Sequence, residues 1–287
     1  MKYQTFIKIY YSHRIIKANF TRKIFYKIFL PLFYIINKLL YPKLLNLDIY
    51  EKKNSKLFYE NLNYLFQHFN SDKGTYFKNQ YVKPIKFSSK LIDGHNYHTY
   101  YEDHLKEFKL KNINILEIGS FKGNAAAAFF FYLKNSKIYS ADIFPDLYLY
   151  KSKRIKNFFI DSSKEEQLQS LVRNENKKFE LIIEDAGHYL KDQIITLFIL
   201  FKLLKKKGIY VVEDLDFPDT RKDMNVNDEK PSLKEILQHI KNGTNFTSKY
   251  VSDEDKKYFL SNYESIDIYK GKFNEIDFIK KKLLNQI

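Results

Sequence analysis

From residue 112 onward, short apolar runs alternate with longer stretches of helical spacing. That is the pattern of a parallel sheet whose strands are joined by crossover helices. The runs predict strands at 114–118, 137–142, 157–160, 179–184 and 208–213. Between the last two, residues 191–206 place Ile194, Ile195, Leu197, Phe198, Phe201 and Leu204 at helical spacing, and Gly208 reads as the stop after a lysine run suited to a helix C-terminus. The tail 265–280 alternates about Lys270-Gly271-Lys272, which predicts a terminal hairpin. No internal repeat interrupts the series.

The first fifty residues follow a different rule. Lys2, Lys8, Arg14, Lys17, Arg22, Lys23 and Lys27 are interleaved with Phe and Ile ahead of an apolar run over 28–36, giving a basic amphipathic helical arm over 1–55. Lys27 and Lys38 bound that run well short of the ~20 residues a spanning helix needs, and Pro31 interrupts it. No small-residue cleavage site follows, which disfavours a secretory signal. Two readings of the arm stay open: peripheral docking on an anionic membrane surface, or packing on the core or on a second copy in a homo-oligomer. Residues 56–110 read as a helical and loop cap, and 111–287 as the core.

Composition narrows the chemistry. With 44% hydrophobic and 17% aromatic residues the chain can bury a real core. The absence of cysteine excludes disulfides, cysteine nucleophiles and thiolate metal sites, and suits a cytoplasmic location, at most peripheral on the inner face of the membrane. The net charge of +15 is mostly lysine in a chain rich in Ile, Asn, Phe and Tyr, a bias that AT-rich coding produces by itself. No nucleic-acid partner is expected from it.

The most informative segment is Asn114-Ile-Leu-Glu-Ile-Gly-Ser-Phe-Lys-Gly-Asn124, a strand entering a loop with glycines at 119 and 123 and then a helix. Glycine permits a tight turn and close approach, and the helix start offers free N–H groups. Asp142 ends the next strand, where a carboxylate can accept both hydroxyls of a ribose, and Asp161-Ser162 end the third, where they can face an adenine amine. Further on, the strand at 179–184 runs into Glu184-Asp185-Ala186-Gly187-His188, and the one at 208–213 ends at Glu213-Asp214. Ligands of open α/β sheets bind at the carboxyl ends of strands, so these acids and His188 should converge there. Transfer to a hydroxyl needs a proton acceptor, which histidine suits, and oxygen ligands favour Mg²⁺ over zinc. The competing reading makes His188 the cap of a helix beginning near Tyr189, with Asp185 satisfying backbone donors.

Leu116-Glu-Ile-Gly119-x-x-x-Gly123 and Asp142 resemble motifs I and II of class I S-adenosylmethionine (AdoMet)-dependent methyltransferases, from about Ile113 to the C-terminus. The resemblance implies a Rossmann-like α/β fold with a seven-stranded sheet, its last strand antiparallel, and helices on both faces, here with an N-terminal helical extension. It places Glu117, Gly119 and Gly123 at the methionine part of AdoMet, Asp142 at the ribose, and Asp161 with Ser162 at the adenine. The second half resembles the metal-dependent sugar O-methyltransferases of macrolide biosynthesis. Carried over, Asp185 and Asp214, with Glu213 beside it, hold a divalent metal such as Mg²⁺ and His188 is the general base. Glu184 stands where that family commonly has Asp. Asn70-Ser-Asp-Lys-Gly74 and Asn96-Tyr-His-Thr-Tyr-Tyr101 resemble that family's segment before motif I, so Asp72, Lys73 and Tyr100 would cover the cofactor.

The implied activity is O-methylation of a sugar hydroxyl on a small-molecule or carrier-linked acceptor, a glycan precursor or a glycosylated metabolite. Two alternatives remain: a related metal-binding hydroxylase, which needs a redox metal, and a basic RNA-binding methyltransferase-like module, which needs a basic groove with stacking aromatics. Residues 215–230, polar and aperiodic, read as a mobile loop over the site. His68, His95, His98, His104 and His239 read as surface or packing residues.

Overall fold

Strand β1 (Asn114–Ile118) sends Leu116 and Ile118 to one side and Ile115 to the other, all buried, as a strand covered on both faces must. The structure, a computed structural model, describes residues 18–40, 44–79, 90–174 and 177–283, with positions 3, 7, 11, 14 and 15. β1 lies at the centre of a seven-stranded sheet with β2 (Lys137–Asp142), β3 (Ile155–Phe159), β4 (Phe179–Glu184), β5 (Leu204–Val212), β6 (Tyr263–Lys270) and β7 (Glu275–Lys281). The order across the sheet is β3-β2-β1-β4-β5-β7-β6, and β7 alone runs antiparallel to its neighbours. The terminal hairpin and the antiparallel last strand are thus as the sequence predicts. The chain winds outward from β1 to β3, then resumes on β1's other side at β4. The crevice of such a sheet lies at this switch point, beyond the carboxyl ends of β1 and β4.

Helix α1 (Phe20–Leu40) runs unbroken through Pro31, where the sequence predicted an interruption. It contributes to a small cluster of its own, in which Leu30, Tyr26, Phe33 and Tyr34 meet Tyr3, Ile7, Tyr11 and Ile15. Lys2, Lys8 and Lys17 of the arm lie outside the described residues. One face of the sheet is covered by α2 (Leu47–Lys53), α3 (Leu62–His68), α4 (His98–Leu105) and α5 (Asn124–Tyr132). The other carries α6 (Glu165–Asn174) and α7 (Leu190–Leu200), then, past the short α8 (Phe217–Thr220), α9 (Leu233–Lys241) and α10 (Asp253–Asn262). Alternation along β4 and β5 feeds both layers: Leu181, Ile183, Ile209 and Val211 face α5, whereas Ile182, Tyr210 and Val212 face α7.

One boundary differs from the periodicity. α7 ends at Leu200, and Leu204 already belongs to β5, paired with Phe179. The lysine run therefore lies in an irregular strand, not at a helix end, and its side chains reach solvent while Leu203 and Leu204 stay buried. Gly208 is required for another reason: a Cβ there would stand 2.8 Å from the Lys205 carbonyl oxygen and 3.0 Å from that of Glu180.

Candidate active site at the carboxyl edge of the sheet

A cavity of about 650 Å³ opens beyond the carboxyl ends of β1 to β5. Asp142, Asp161 and Ser162 line one end; Asp185, His188 and Asp214 line the other. Residues far apart in sequence thus share one space because each lies at or just beyond the end of a parallel strand of the same sheet.

The glycine loop sits where β1 and β4 exit side by side. Gly119 has φ +91°, and a Cβ on it would come within 1.9 Å of the Asp185 carbonyl oxygen. Gly123, with φ +76°, would meet the Tyr148 ring at 2.4 Å. Both glycines are therefore dictated by contacts inside the protein, and Gly119 welds the loop to the acid-bearing turn. Asp142 completes the weld: its two oxygens accept the backbone N–H groups of Phe121 and Phe144, each at 2.7 Å. Burial raises its carboxyl above the ordinary value, against the pull of those N–H groups. Asp161 is buried, and its Oδ1 accepts the Ser163 hydroxyl at 2.6 Å. Glu117 lines a smaller recess of about 50 Å³ beyond Gly119, shared with Asp72 and Lys73, and its buried Oε2 has no hydrogen-bond partner. Burial pushes its carboxyl up to about 7, opposed by the Lys73 charge.

At the other end three groups converge. The donor atoms of Asp185, His188 and Asp214 lie within 4.8 Å of one another. His188 Nε2 is 3.7 Å from Asp185 Oδ1 and 3.6 Å from Asp214 Oδ2, too far for hydrogen bonds. The remaining oxygens are already engaged. Asp185 Oδ2 pairs with Lys73 Nζ, and Asp214 Oδ1 accepts from Tyr97 Oη at 2.7 Å and Asn274 Nδ2 at 3.0 Å. Each carboxylate therefore turns one unsatisfied oxygen toward the same point. His188 holds φ +55° and Asp214 +51°, left-handed conformations uncommon for residues with a Cβ. The capping alternative does not hold. α7 begins at Leu190, its cap residue is Tyr189, and no side chain caps it.

Several predicted positions are placed differently. Glu213 is not among the three converging donors: its oxygens are taken by Lys73 Nζ and Tyr101 Oη. Lys73 lines the smaller recess beside Glu117, not the main cavity, as a buried cation between Asp185 and Glu213. Burial opposes its charge, yet the two acids hold its ammonium well above the usual lysine range. Asp72 does line the cavity. Glu184 is fully buried, with Oε2 unpartnered and its carboxyl pushed up to about 8 by burial, and it takes no part in the cluster. Tyr100 stacks on Tyr269 and donates to the Lys270 carbonyl, away from the site. The tyrosines that reach the acids are its neighbours Tyr97 and Tyr101, one turn apart and turned inward.

His95, read as a packing residue, lines the cavity with its Nδ1 3.8 Å from Asp214 Oδ1 and its ring stacked on Tyr97. Nothing near it in sequence signals this, because the acid it meets lies 119 positions later. The segment 215–230 does border the site through Phe217 and Arg221, but it holds the short α8 and a hydrogen bond from Leu190 N to the Met224 carbonyl.

No family model and no curated protein matches the sequence. Among solved structures, the chain is similar to the MycE methyltransferase from the mycinamycin biosynthetic pathway in complex with Mg and SAH, with a TM-score of 0.57 and 17% identity over 78% of this chain and 55% of that one. The same protein in complex with Mg, SAH and mycinamycin VI aligns equally, with a TM-score of 0.57 and 17% identity over 78% of this chain and 54% of that one. The chain thus spans just over half the length of that protein. The fold is that of class I methyltransferases, with the strand order described above.

Proposed function

We propose that this chain is an AdoMet-dependent O-methyltransferase acting on a sugar hydroxyl of a glycan precursor or glycosylated metabolite, with His188 as general base and Mg²⁺ held by Asp185 and Asp214. The observation that carries the reading is that the Asp142–Asp161 end and the Asp185–His188–Asp214 end line one cavity of about 650 Å³. That volume lies within the range of cofactor and small-molecule sites. Of the similar MycE structures, one is in complex with Mg and SAH and another with Mg, SAH and mycinamycin VI.

The residues fit both groups. Asp142 suits ribose hydroxyls, Asp161 with Ser162 suits the adenine, and the unpartnered Oε2 of Glu117 offers an acceptor to the methionine ammonium. Asp185 Oδ1 and Asp214 Oδ2 are hard, unsatisfied oxygens suited to Mg²⁺. When bound, AdoMet supplies an electrophilic methyl group and the cation acidifies and orients the acceptor hydroxyl. His188 Nε2 would accept the proton that the acceptor hydroxyl gives up, and Asp185 with Asp214 would hold the cation. The hydroxylase alternative is less well supported, because His95 approaches Asp214 through the oxygen already used by Tyr97 and Asn274.

Calorimetric titration with AdoMet, with and without Mg²⁺, tests the assignment. Asp142→Ala should abolish AdoMet binding, whereas Asp185→Asn should retain it and lose the response to Mg²⁺. Wild-type behaviour from both variants would refute the site.

A further inference from the structure

We propose that the N-terminal arm docks the protein on an anionic lipid bilayer, with α1 lying along the headgroup region. The docking surface is distinct from the cavity, and the inference does not depend on methyl transfer.

α1 has two apolar faces where a solvated helix has one. Its inner face is satisfied by the cluster around Leu30. On the opposite side Phe20, Ile28 and Ile35 are 77%, 64% and 56% exposed, and Ile24, Phe25, Phe29, Leu32 and Ile36 also stand in solvent. At about 100° per residue these side chains sweep roughly half the circumference, a patch that a surface with no partner rarely keeps. Arg22 and Lys27, both exposed, fall at the two margins of that arc, where long basic side chains reach from a buried apolar face to headgroup phosphates.

Charge selects the occupant. Residues 1–47 hold nine Lys and Arg and neither Asp nor Glu, so more than half of the net +15 sits in the first sixth of the chain. Two such arms would repel each other across a shared apolar face, whereas an anionic bilayer satisfies both the charge and the apolar surface. Among the described residues no helix is long and apolar enough to cross a membrane, and Lys27 near the middle of α1 fits a helix that lies in the interface. The arm is also tied to the sheet's carboxyl edge: Arg14 pairs with Asp146, in the turn after Asp142, beside the exposed Phe144 and Leu147. Docking therefore brings the Asp142 end of the cavity near the bilayer surface.

The test is co-sedimentation of the full-length protein with phosphatidylcholine vesicles, with and without phosphatidylglycerol, at low and high salt. Binding should need phosphatidylglycerol and weaken with salt. In the full chain, Arg22→Glu/Lys23→Glu/Lys27→Glu should weaken it roughly 100-fold. Phe25→Ser/Ile28→Ser/Leu32→Ser should weaken it comparably, with far-UV circular dichroism unchanged in both. Equal binding to neutral and anionic vesicles, no binding to either, or wild-type binding by both variants would overturn the proposal. So would a dimer, seen by sedimentation velocity, that the serine variant dissociates while lipid binding is unaltered.

Discussion

Lys73 Nζ lies 2.5 Å from Glu213 Oε2, the two residues buried and 140 positions apart. The same ammonium meets Asp185, so one lysine from the turn after α3 neutralises acids at the ends of β4 and β5. Removing one member of a buried ionic set leaves uncompensated charge, which costs about 3–5 kcal/mol. Lys73→Met should lose that much stability in urea denaturation at neutral pH, and adding Glu213→Gln should restore part of it. Strictly additive losses would show that the two residues do not act as a unit.

Gly119 and Gly243 form an internal comparison. Both have positive φ, but a Cβ at Gly119 would strike the Asp185 carbonyl oxygen while one at Gly243 would meet nothing within 4 Å. Gly243→Ala should therefore cost only the left-handed backbone penalty, about 1 kcal/mol, and Gly119→Ala more than about 3 kcal/mol. Gly119→Ala should also lose AdoMet affinity, because the turn bearing Asp185 must move. Equal costs by chemical denaturation would refute the contact.

What the sequence made legible is what strand periodicity and strand-end acids carry. β1, β2 and β4 begin and end where the apolar runs do, and Asp142, Asp161, Asp185, His188 and Asp214 all line the cavity. The inward turn of Tyr97 and Tyr101, the approach of His95 and the pairing of Lys73 were not legible. Each depends on how the segment before β1 packs against strand ends more than a hundred residues later, and no local spacing encodes that. α7 was over-extended for a related reason: Phe201 and Leu204 fit a helical repeat, but Leu204 is buried as a strand residue beside Phe179.

Asp277 in β7 is fully buried with neither carboxylate oxygen partnered, and burial, aided by Asp267, holds its carboxyl at about 8. The folded protein keeps this proton through neutral pH while the unfolded chain releases it above about pH 4. Over that window the unfolded state binds fewer protons, so stability falls as pH rises toward 8; Glu184 and Glu117 act in the same direction. Asp277→Asn should flatten the decline between about pH 5 and pH 8 by at least about 1 kcal/mol, read from urea midpoints. A variant whose stability falls as steeply as wild type would contradict the assignment.

Tyr97 supplies the last and most specific prediction for the acid cluster. Its hydroxyl donates to Asp214 Oδ1, which orients the carboxylate so that Oδ2 faces His188 and Asp185 Oδ1. Losing a hydrogen bond that orients a ligand typically weakens metal affinity 10- to 100-fold, by about that range here. Tyr97→Phe should raise the Mg²⁺ concentration needed for its effect on AdoMet binding by at least about tenfold, leaving AdoMet affinity without Mg²⁺ unchanged. Tyr100→Phe is the matched control, since its hydroxyl serves the Lys270 carbonyl outside the cavity. If both phenylalanine variants titrate with Mg²⁺ alike, Tyr97 does not position Asp214 for a cation, and the metal assignment loses its support on that side of the site.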